Sequence, residues 1–89
     1  MCTTICHTAD VRGAARGGGG PGWFPVTRTT IAYDHPGHVG HEHALLLDFA
    51  NPELGPGARV GVELDLESGR ELLRRLQDAI DATERFEAL

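Results

Sequence analysis

Arg59-Val60-Gly61-Val62-Glu63-Leu64-Asp65-Leu66-Glu67-Ser68-Gly69-Arg70-Glu71-Leu72-Leu73 holds the change of period that decides the fold. Val60, Val62, Leu64 and Leu66 alternate with Glu63 and Asp65, the two-residue period of a strand with one buried face. Beyond Ser68 the period lengthens. Leu72, Leu73, Leu76, Ala79, Ile80 and Thr83 recur at helical spacing, with Arg and acidic residues opposite. Ser68 and Glu71 have the spacing of a capping box, in which the two side chains satisfy free amides reciprocally. A helix is therefore expected over about 69–87, and its apolar stripe must cover a sheet face.

Working back from this junction, the chain offers three more strands. Residues 2–12 alternate, with Ile5, Ala9 and Val11 sharing a face with Thr3 and His7, and Cys2, Thr4, Cys6, Thr8 and Asp10 on the other. Residues 13–22 hold six glycines and a proline and read as a flexible loop. A phosphate-binding loop would instead open a helix and carry a Lys. Val26 to Tyr33 is rich in Thr, Val and Ile, which favour strands. After the turn signal Asp34-His35-Pro36-Gly37, His41 to Phe49 is the next strand. It places His43, Leu45, Leu47 and Phe49 on one face and Glu42, Ala44, Leu46 and Asp48 on the other. Asn51 to Gly57 connects it to the strand that begins at Arg59.

The expected fold class is α+β: one domain over 1–89, a small mainly antiparallel sheet of about four strands with one C-terminal amphipathic helix packed on a face. Both faces of 42–49 are largely apolar, and one helix covers only one side, so a homodimer is expected. Size points the same way, because 89 residues are near the limit at which a single core suffices.

Net charge is −5, which argues against a nucleic-acid partner because phosphate contacts need a basic face. No apolar stretch approaches the roughly 18 residues of a membrane span, and no signal-peptide pattern opens the chain, so a cytoplasmic protein without a membrane partner is expected. All eight basic residues are Arg, which excludes Schiff-base chemistry on Lys.

Four of the five histidines fall within nine residues: His35, His38, His41 and His43, with Asp34 and Glu42 among them. Imidazole and carboxylate ligate zinc, iron and related ions. On a strand, His41 and His43 share one face, and His35 and His38 lie in the turn before it. Glu42 and Asp34 are available as ligand, general base or orienting acceptor. Asp48 is an unusual acid on an apolar strand, with Arg28 or a histidine as its expected partner and a catalytic role among its readings. Cys2, Cys6 and His7 form a second cluster, read mainly as strand residues with a buried thiol. On a strand, residues four apart are about 13 Å apart, too far for a disulfide. Trp23, Phe24 and Tyr33 are expected in the core, at a dimer interface, or in a pocket beside the histidines.

Several of these motifs together resemble an uncharacterised family of short bacterial proteins. They are Trp23-Phe24-Pro25-Val26-Thr27, Asp34-His35-Pro36, His38, Glu42-His43, and Asp48-Phe49 with Asn51-Pro52, along with the Met-Cys-Thr opening and the Val-Glu-Leu strand before a Ser-capped helix. The resemblance implies that His35, His38, Glu42 and His43 match the family motif. It leaves His41, Cys6 and His7 outside it, and it brings no assigned activity.

The functional expectation is a divalent transition metal, zinc or iron, held by His35, His38 and His43, with His41 a further candidate. Glu42 is the fourth ligand or the general acid-base, and Asp48 the second candidate catalytic acid. Such a site suits a metal-dependent enzyme acting on a small organic substrate. Two alternatives stay open: a non-catalytic or metal-stabilised dimeric binding module, and a metal-free His/Glu acid-base catalyst.

Overall fold

A computed structural model describes residues 5–17, 22–35 and 43–88. Four strands, β1 (Ile5–Arg16), β2 (Trp23–Asp34), β3 (Ala44–Ala50) and β4 (Arg59–Leu64), form one antiparallel sheet in the order β1-β2-β3-β4. A 3-10 turn at Pro52–Leu54 precedes β4, and the helix α1 (Leu66–Glu87) ends the fold. The α+β class read from the sequence is thus the observed one.

Three boundaries differ from expectation. β1 runs on past Gly13 to Arg16, because Gly13, Ala14, Ala15 and Arg16 pair with Val26, Pro25, Phe24 and Trp23. A bulge permits this extension: the register shifts between Asp10 and Gly13, so Val11 and Arg12 oppose Thr27 alone. The glycine-rich connection therefore starts at Gly17, and Gly17 and Gly22 take φ of 106° and 76° at its two ends. Pro25 is tolerated inside β2 because β3 reaches only as far as the Arg28–Ala50 pair. Beyond that pair the Asn51 Nδ2 donates to the Pro25 carbonyl at 3.1 Å.

The third difference is the helix start. Asp65, and not Ser68, is the N-cap: its Oδ1 accepts from the Ser68 amide at 2.7 Å. Asp65 precedes Ser68 by three residues, so the cap falls one turn earlier than the Ser-Glu spacing indicated, and Leu66 becomes helical.

Register assigns the faces. Tyr33, Ile31 and Thr29 oppose Leu45, Leu47 and Phe49, which in turn oppose Leu64, Val62 and Val60. This face is apolar. The other carries Ala32, Asp34, Ala44, Leu46 and Asp48, and the buried residues Val26, Ala32, Ala44 and Asp34 all belong to it. Asn51, also buried, holds the β3–β4 connection: its Oδ1 accepts from the Glu53 backbone N–H, and its own backbone N–H donates to the Ala58 carbonyl.

The helix does not cover the sheet as expected. Its first turn sits on the apolar face, where a Cβ on Gly69 would collide with Leu45 Cδ1. From Leu72 onward its stripe is exposed, and none of its residues is buried. The chain has a radius of gyration of 14.8 Å, where a compact domain of this length has about 12 Å.

Candidate site at the β2–β3 end

The last pairs of β2 with β3 are Tyr33–Leu45 and Asp34–Ala44, so His35 and His43 stand at the next facing positions. Their rings are 4.6 Å apart between centroids, with planes inclined by 33°. Tyr33 stacks with His43 at 5.2 Å and 23°. Alternation explains the row: residues 33 and 35 share one face of β2, and residue 43 faces them from the opposing chain. Both imidazoles are exposed, so solvent, an ion or a small molecule reaches them without any opening of the fold.

Asp34 is buried at the same end, and its Oδ1 accepts from the His35 amide at 2.7 Å. Strand alternation puts Asp34 on the face opposite the ring row. This bond ties its side chain to the backbone that presents His35.

The other members of the histidine segment, His38, His41 and Glu42, lie outside the described residues. Among the described residues no three His, Cys, Asp or Glu are grouped so as to hold a metal ion. His35 and His43 are the two expected ligands that the structure brings together.

Asp48 stands apart from them. It lies five residues along β3 from His43 and on the other face. Its partner is Arg59, neither Arg28 nor a histidine: Arg59 Nη2 reaches Asp48 Oδ2 at 2.5 Å and Nε reaches Oδ1 at 3.3 Å. Gly61 is the β4 residue opposite Asp48, and Arg59 is its diagonal neighbour on the same face. The pair borders a cleft of about 280 Å³ with Ala50, Pro52 and Pro56. Sequence reading missed Arg59 because the partner follows from the β3–β4 register, which the loop between them sets.

In the second cluster Cys6 is a free, exposed thiol and His7 is exposed, which corrects the expectation of a buried thiol; Cys2 lies outside the described residues. Trp23 is exposed, with the Arg16 guanidinium 5.1 Å from its ring centroid, so it belongs to the β1–β2 end and not to the core. Among the described residues, Tyr33 is the aromatic of the three found beside a histidine. Among the described residues no helix is long and apolar enough to cross a membrane.

A family model described as "Family of unknown function (DUF6295)" matches residues 1–88. No curated protein and no solved structure matches the chain.

Proposed function

We propose that this chain, which belongs to the DUF6295 family, binds a divalent transition metal, zinc or iron, at the β2–β3 end and uses it on a small organic substrate. The observation that carries the reading is the His35–His43 pair, two exposed imidazoles 4.6 Å apart on opposing chain segments. The seven residues between them contain His38, His41 and Glu42, with His38 three residues from His35 and Glu42 adjacent to His43. His35, His38 and His43 would hold the ion through neutral imidazole, with His41 as a further candidate. Glu42 would be the fourth ligand or the group that moves a proton. A metal with an open position polarises a carbonyl or activates water when bound. The chain's own part is to hold the two ends in register through the β2–β3 ladder and the Asp34–His35 backbone bond.

A second reading is a metal-stabilised dimeric binding module. The observation favouring it is the exposed apolar face of the sheet, which fits a homodimer better than a lone chain. A closed four-ligand site would select this reading over the enzyme, because catalysis needs an open coordination position.

Elemental analysis of untagged protein, repeated on His38→Ala and His43→Ala, tests the proposal. About one ion per chain in the wild type and loss in both variants is the expected result. No stoichiometric metal in the wild type removes the proposal, and metal retained in both variants moves the site elsewhere.

A further inference from the structure

We infer that α1 of each chain covers the apolar sheet face of a second copy, in a symmetric dimer with exchanged helices. This rests on the dimer of the second reading above, taken without its metal.

Among the described residues two apolar surfaces are exposed. The first is the α1 stripe, with Leu72, Leu73, Leu76 and Ile80 exposed at 47%, 66%, 54% and 45%. The second is the sheet face, where Ile31, Phe49 and Val62 are exposed at 40%, 36% and 40%. A helix with such a stripe and a sheet with such a face are the usual two layers of an α+β domain. Here they belong to one chain, and the contact seen between them is at the first turn, Gly69 against Leu45.

The exposed area is of the size a dimer needs. The chain exposes 6929 Å² at 9.6 kDa. A compact folded chain of that mass exposes about 5,100 Å². The excess of roughly 1,800 Å² per chain, to which the α1 stripe and the sheet face contribute, leaves room for one chain's share of an obligate homodimer interface, which buries about 2,000–5,000 Å² in total. Dimensions agree as well. The 22 residues of α1 make a rod of about 33 Å. The 12 residues of β2 extend about 40 Å.

Symmetry selects the arrangement. Sheet face on sheet face would leave both α1 stripes in water, and helix on helix would leave both sheet faces bare. Reciprocal helix-on-sheet docking buries both surfaces in one isologous contact that closes at two copies.

The test combines light scattering with NMR of a mixed dimer. A nitroxide is attached to Arg74→Cys, on the charged side of α1, in a Cys2→Ser/Cys6→Ser chain without isotope label. This chain is unfolded and refolded with ¹⁵N-labelled unmodified chain. The expected results are a mass of two chains and selective broadening of the Ile31, Leu47 and Val62 amides of the ¹⁵N chain. A two-chain mass with broadening confined to α1 amides overturns the exchange and leaves the dimer standing. A one-chain mass at every accessible concentration overturns both. In a separate arm, Leu76→Asp should convert the dimer to a folded single chain; if it unfolds instead, the broadening pattern still decides.

Discussion

Asp34 and His35 are joined side chain to backbone at the end of β2, with the buried Asp34 carboxylate accepting the His35 amide at 2.7 Å. That bond fixes the chain direction just where His35 turns its ring toward His43. One residue therefore belongs to the buried face and stabilises the strand end, while its neighbour belongs to the exposed row of rings. Chemistry at this end is expected from the histidines, and one contribution of Asp34 is this bond to the His35 backbone.

Replacing His43 by Ala removes the middle ring of the Tyr33–His43–His35 row. Because both imidazoles are exposed, the stability cost is expected to stay below about 1 kcal/mol, within the range of aromatic pairs. Metal content should nevertheless fall sharply. Denaturant titration together with metal analysis checks both statements, and a large loss of stability would indicate a structural role for the ring.

Asp48→Asn should leave metal content unchanged, since Asp48 lies on the other face and is held by Arg59. The pair is exposed on the Arg side, so its loss is expected to cost no more than about 1 kcal/mol. Loss of bound metal in this variant would contradict the separation of Asp48 from the histidine end.

The helix cap offers a comparison of two neighbours. Asp65→Ala is expected to lower stability by about 1 kcal/mol, the usual value of an N-cap carboxylate, and Ser68→Ala by less. Urea unfolding of the two variants measures the difference. Equal effects would restore the Ser68-Glu71 box.

Gly69 and Leu45 are coupled by contact. Gly69→Val should destabilise the fold by roughly 1–3 kcal/mol, typical of overpacking. Leu45→Ala should recover part of that loss when the two are combined. A double-mutant cycle reads the coupling, and strict additivity would place the first turn of α1 away from the sheet.

Much of the fold was legible in residues whose spacing is local. The alternation of Val60, Val62 and Leu64 and the helical recurrence of Leu72, Leu76 and Ile80 gave β4 and α1 within a few residues. What spacing did not reveal depends on pairing. The extension of β1 to Arg16 rests on pairing with Trp23, Phe24, Pro25 and Val26 across the connection, which overrides the usual reading of Gly13 as a loop residue. Asp65 was masked because it continues the strand alternation and caps the helix at once. The sequence identified His35 and His43 as site candidates by count, and the β2–β3 register brings them face to face. Arg59 stayed hidden because a diagonal partner cannot be named before the register is known.

X-ray absorption at the K-edge of the ion bound to untagged protein reads whether histidines hold a metal at the β2–β3 end. A first shell of nitrogen and oxygen with the outer-shell scattering of about three imidazoles is expected. A sulfur-dominated first shell, or a protein that binds no ion, would contradict it.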